Sequence, residues 1–69
     1  MISLIVRYRD GQEIHYVIKR EHLLFLIRNG YDVAIPYNQI LIEDVEKLSA
    51  AGIVVEADAD SQLLRIKKN

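Results

Sequence analysis

The chain predicts a small α+β fold: a single-layer, mainly antiparallel sheet carrying two short helices, in the order β-β-α-β-α-β-β. Three observations carry this expectation. Apolar residues alternate with polar ones at both ends of the chain, the period of half-buried strands. Between them lie a leucine-rich stretch and an acidic stretch whose apolar residues recur at helical spacing. The three glycines and single proline each stand near a place where the periodicity changes. A length of 69 residues allows one domain, residues 1–69, without an internal linker. With 51% hydrophobic residues the chain is too apolar to be disordered. A domain of this mass buries only about 60% of its unfolded surface, so some apolar surplus is expected outside the core.

Residues 2–9 and 12–19 read as a hairpin. Ile2, Leu4, Val6 and Tyr8 share one face, and Ile14, Tyr16 and Ile18 share the matching one. Asp10-Gly11 marks the turn, and the faces decide its length. A two-residue loop would set Ile14 against Arg7 and Val6 against His15, mixing the faces. A three-residue loop, Arg9-Asp10-Gly11, pairs Tyr8 with Gln12, Val6 with Ile14, Leu4 with Tyr16 and Ile2 with Ile18. It also sets Arg7 against Glu13, a favourable cross-strand pair. Gly11 then occupies the left-handed position of a G1 bulge.

Residues 20–29 read as a short helix through Leu23, Leu24 and Ile27, its stripe widened by Phe25 and Leu26, with Asn29-Gly30 as the C-cap. The competing reading is a second hairpin turning at Asn29-Gly30. Residues 31–37 are extended through Tyr31, Val33 and Ile35, and Pro36 either stops the ladder or places it at an edge. Residues 39–42 either add a strand or follow an N-cap at Asn38. A helix runs through Val45 and Leu48 to about residue 51, its acidic first turn (Glu43, Asp44, Glu46) suiting a helix N-terminus. Gly52 closes it. Residues 53–57 and 62–68 form a last hairpin, with Val55 opposite Leu64 and Ile53 opposite Ile66 across the loop Asp58-Ala59-Asp60-Ser61. The expected core is Leu4, Val6, Ile14, Tyr16, Ile18, Leu24, Ile27, Val45, Leu48, Ile53, Val55, Leu64 and Ile66.

Composition argues against several classes of function. Nine Lys and Arg against ten Asp and Glu give a net charge of −1, without the basic surplus of most nucleic-acid-binding domains. Residues 1–35 hold five basic and four acidic groups and residues 36–69 hold four and six, so no charged arm stands out. The longest apolar run is Leu23 to Ile27, far short of a membrane span, and the N-terminus lacks the marks of a signal peptide. The expectation is a soluble cytoplasmic protein.

Catalytic chemistry is hard to assemble from these residues. There is no Cys or Thr, and Ser3, Ser49 and Ser61 fall in a strand, a helix and a turn. His15 and His22 are seven residues apart on different elements and lack the spacing of a zinc site. Glu56, Asp58 and Asp60 crowd one turn whose Asp-x-Asp-x-Gln is similar to the start of an EF-hand loop. The glycine and final glutamate of such a loop are missing, so a solvated hairpin tip is expected. The isolated glycines make no phosphate cradle. Tyr8 and Tyr16, which could stack bases, belong to the core face. No catalytic residue, cofactor, metal or small-molecule substrate is therefore expected.

Two features bear on function. The outer face of the first hairpin carries Ile5, His15 and Val17 framed by Arg7, Arg9, Glu13 and Lys19, and Val54 and Leu63 lie on the outer face of the last hairpin. A small apolar centre with a charged rim suits a protein–protein contact, and acidification would charge an imidazole held there. The other reading is that the second helix or the last hairpin covers this face within the molecule. The candidate interaction surface is Ile5, Arg7, His15, Val17, Val54 and Leu63, and the expected partner is a second copy of the chain or another protein. The build is that of small accessory proteins of bacteria and phages, a compositional analogy only. The alternative is nucleic-acid binding. A helix ending in Ala-Ala-Gly-Ile-Val and running into a hairpin resembles the tail of a winged helix-turn-helix domain. That resemblance implies recognition through residues 43–51 and contacts from Arg65, Lys67 and Lys68 on the wing. Glu43, Asp44 and Glu46 would repel phosphate.

Overall fold

The computed structural model describes residues 1–67, Lys67 by its backbone alone. The strands are β1 (Ile2–Arg7), β2 (Glu13–Ile18), β3 (Asp32–Pro36), β4 (Val54–Asp58) and β5 (Leu63–Lys67). A 3₁₀ turn, Arg20–His22, leads into helix α1 (Leu23–Arg28), and α2 spans Ile42–Ala50. The order is the one expected, and α1 settles the choice between helix and second hairpin. The five strands form one antiparallel sheet in the spatial order β2-β1-β3-β5-β4. The chain between β2 and β3 therefore crosses over β1 and carries α1. The chain between β3 and β4 crosses over β5 and carries α2.

One face of the sheet is covered by both helices. Ile2, Leu4 and Val6 from β1, Val33 and Ile35 from β3, and Ile66 from β5 are buried against Leu23, Ile27 and Leu48 of the helices in one cluster. Burying each such side chain contributes roughly 1.5–3 kcal/mol.

The first hairpin has the expected register, Ile2 with Ile18, Leu4 with Tyr16, Val6 with Ile14 and Arg7 with Glu13. The Tyr8 amide donates to the Gln12 carbonyl at 2.8 Å and the Gly11 amide to the Tyr8 carbonyl at 2.9 Å, closing the three-residue loop. Gly11 sits at φ 87°, a conformation that costs an L side chain about 1–2 kcal/mol.

Several expectations are corrected. In the last hairpin Val55 faces Ile66 and Ala57 faces Leu64, two residues out of the expected register. The loop is residues 59–62, and Gln62 takes the left-handed conformation at φ 54°. A shift of two leaves every side chain on its expected face. Residues 39–42 form no strand, and α2 is capped at Leu41 rather than Asn38. Tyr16 belongs to the edge strand β2 and is 39% exposed, not core. Phe25 points away from the α1 stripe and is 71% exposed. The core instead includes Ile2 and Leu23, together with Val33 and Ile35, the last two because β3 lies at the centre of the sheet.

Pro36 shows how a central strand tolerates proline. Alternate residues of β3 turn their backbone groups toward β1 and toward β5. The Tyr37 amide bonds the Gln62 carbonyl at 3.0 Å, so Pro36 is turned toward β1, where it has no N–H to give. The β1–β3 ladder ends at Ile5 and Ala34, and the Ser3 amide donates instead to Gln39 Oε1 at 3.2 Å. Proline thus ends one ladder while pairing with Leu63 of β5 on its other side.

Candidate interaction surface

Among the described residues, no helix lies on the reverse face of the sheet. Strand registers arrange its side chains in rows. His15, Ile5, Ala34, Arg65 and Glu56 follow one another across all five strands. On one side of this row lie Glu13, Arg7 and Asp32. On the other side lie Val17 opposite Ser3, and Pro36, Leu63 and Asp58 in sequence. Ile5, Arg7, His15, Val17, Val54 and Leu63 therefore share one face, in two groups. Ile5, Arg7, His15 and Val17 are contiguous on β1 and β2. Leu63 and Val54 lie on β5 and β4, with β3 between the groups. At strand spacings of about 4.8 Å the two edges are roughly 19 Å apart.

Two ion pairs lie on this face. Arg7 meets Glu13 Oε2 at 3.3 Å, and Arg65 Nε donates to Asp58 Oδ2 at 3.3 Å. Asp58 Oδ1 also accepts the Ser61 amide at 3.3 Å. Ser61, followed by Arg65, holds the Asp58 carboxyl below the ordinary aspartate value of 3.8. Asp58 thus serves the hairpin tip. No group of three or more metal-ligating side chains is gathered among the described residues.

The β2 edge carries part of the exposed apolar surface. Val17 is 61% exposed on the reverse face, and Tyr16 is exposed on the helical face of the same strand between half-buried Ile14 and Ile18. The Tyr16 hydroxyl lies 2.8 Å from that of Tyr8, whose ring meets Tyr31 edge-on with centroids 6.5 Å apart. The bond to Tyr16, with partial desolvation, raises the Tyr8 phenol above its ordinary value of 10.0. This tyrosine cluster and the bare β2 edge escaped the sequence reading, which placed Tyr16 in the core. The alternation of β2 was visible, but not its place at the edge.

The nucleic-acid alternative finds a different geometry. The last hairpin does not project as a wing, because β5 is paired on both sides, with β3 and with β4. Arg65 is engaged by Asp58. Lys67 is described by its backbone alone, and Lys68 lies outside the described residues. Asp44, on the would-be recognition helix, is only 6% exposed. It pairs with Arg20 Nη1 and accepts the Leu41 amide at 2.9 Å, while Arg20 Nη2 reaches the Gln39 carbonyl at 3.1 Å. This knot joins the 3₁₀ turn, the approach to α2 and, through Gln39, β1. It borders a cleft of about 500 Å³ that Met1, Leu24 and Lys47 also line. The polar groups at its base are thus spent on the fold.

Among the described residues, no helix is long and apolar enough to cross a membrane. Compared with family models, curated proteins and solved structures, the chain finds no match in any of the three.

Proposed function

We propose that this protein is a non-enzymatic interaction module that self-associates, most simply as a dimer. The observation that carries the reading is the one-sided sheet. Helices cover one face, while Ile5, Val17, Val54 and Leu63 lie on the other, with the Arg7–Glu13 and Arg65–Asp58 ion pairs beside them. An apolar centre with a polar rim is the anatomy of a protein–protein contact. A second copy is the simplest partner, because a two-fold contact needs only one self-complementary patch. The reading keeps the cytoplasmic setting expected from the sequence.

Light scattering coupled to size exclusion tests it. The wild-type chain should run with twice its 8.0 kDa mass at micromolar to millimolar concentration, and Val17→Asp should run as a monomer. A wild-type monomer throughout that range would refute self-association. The nucleic-acid reading predicts retention on DNA at about 50 mM salt, where phosphate contacts are strongest.

A further inference from the structure

We infer that the self-association contact is the free edge of β2, which pairs antiparallel with β2 of a second copy and joins two five-stranded sheets into one of ten strands. The inference rests on the self-association reading and gives it a location. It starts from backbone direction. The Gln12 carbonyl accepts the Tyr8 amide across the hairpin, so by alternation Ile14, Tyr16 and Ile18 turn their amides and carbonyls toward β1. The amides and carbonyls of Glu13, His15 and Val17 then point out of the sheet. Such an edge invites pairing unless proline, a bulge or charge blunts it. Between Glu13 and Lys19 the β2 edge has no proline and no formal charge.

The register follows from faces and charges. Continuous apolar faces require residues from the same side of the pleat to meet. Among registers that satisfy this, one places Tyr16 against Tyr16 on the two-fold axis. Ile14 then faces Ile18, His15 faces Val17, and Glu13 faces Lys19 of the second copy. Lys19 is extended, with φ −68° and ψ 135°, and can continue the strand. The His15–Val17 pairs are the hydrogen-bonded ones, so the outward amides and carbonyls of each copy are the groups satisfied. The axial Tyr16 pair is a non-hydrogen-bonded one, where Cα atoms approach to about 4.5 Å and the side chains meet closely. That contact covers the ring left exposed by the helices. Oppositely charged pairs close both ends, and the middle is apolar. The neighbouring register, with His15 on the axis, opposes Glu13 to Val17 and loses both charge pairs.

The other edge does not offer the same contact. The register that pairs all five residues of β4 with a second copy sets Glu56 against Glu56, a like-charge contact. Pairing β2 of one copy with β4 of the next is head-to-tail and leads to open filaments. The two-fold β2 contact closes at two copies.

Charge reversal supplies the test. In Glu13→Lys both terminal pairs become Lys against Lys, and in Lys19→Glu both become Glu against Glu. Each variant alone should dissociate, its dimer constant weakened about tenfold or more from two pairs changing sign. An equimolar mixture should dimerise again, because each pair then has opposite charges. Circular dichroism of each variant checks its fold. A chemically synthesised chain with N-methyl-Val17 removes an edge N–H without altering any side chain, and should be monomeric where the wild type is a dimer. A wild-type dimer that resists these changes but dissociates with Val54→Asp would overturn the edge contact and leave self-association through the reverse face standing. A wild-type monomer at every concentration would remove both.

Discussion

Asp44 is the residue on which most of the polar architecture turns. Its buried carboxylate accepts the Leu41 amide at 2.9 Å, opening α2, and pairs with the guanidinium of Arg20. Arg20 in turn holds the Gln39 carbonyl. Truncation would leave a partly buried cation and an uncapped amide together. Asp44→Ala should therefore destabilise the fold by about 3 kcal/mol, the lower end for a broken buried pair because Arg20 keeps some contact with water. Asp44→Asn keeps an acceptor for Leu41 and should cost about half as much; urea unfolding of both separates the cap from the charge. Asp58 gives a second prediction, one of pH. Its folded value lies below the ordinary 3.8, chiefly through Ser61 and then Arg65. A depressed carboxylate stabilises the fold above its unfolded value and loses that contribution as pH falls through the folded value. Carbon-13 titration of the Asp58 carboxyl should show a midpoint below 3.8, and Ser61→Ala should move that midpoint upward.

At the scale of elements, what sequence could tell followed from which constraints are local. The register of the first hairpin was legible because three signals agree at adjacent positions: a glycine able to take φ 87°, matching apolar faces, and the Arg7–Glu13 pair. The last hairpin lacks such a glycine. Gln62 takes the left-handed position there, with nothing in its side chain to announce it, and a slip of two residues is invisible to face matching. The start of α2 was displaced for a related reason. Asn38 has the side chain of an N-cap, but the cap is made from inside the helix by Asp44. Pro36 leaves two readings open, a stopped ladder or an edge strand. Strand order placed β3 at the centre, where the missing donor coincides with the end of one ladder. Strand order also decided which alternating face became core. The same period-two pattern buries Val33 and Ile35 on a central strand and leaves Tyr16 exposed on an outer one. The six proposed surface residues were placed on one face from periodicity alone. The bare β2 edge, a property of the whole sheet, was not readable there.

For the whole molecule, two edges and one uncovered face are what remain after both helices have packed on the other side, and hydrogen exchange can tell them apart. Amides of β1, β3 and β5 are bonded on interior ladders and should exchange slowest at every concentration. The outward amides of β2 and β4 lack a partner in an isolated sheet and should exchange fast in dilute solution. Association through the β2 edge protects the His15 and Val17 amides as concentration rises, and leaves those of Val55 and Ala57 on β4 unchanged. Stacking of two reverse faces changes neither set of amides, since it buries side chains rather than edge hydrogen bonds. Head-to-tail pairing of β2 on β4 protects both sets and scatters light as growing particles. A concentration series of amide exchange on the wild-type chain therefore assigns the contact without a substitution. Protection confined to β2, rising with the fraction of dimer, is the outcome expected of a sheet that closes on a second copy of itself.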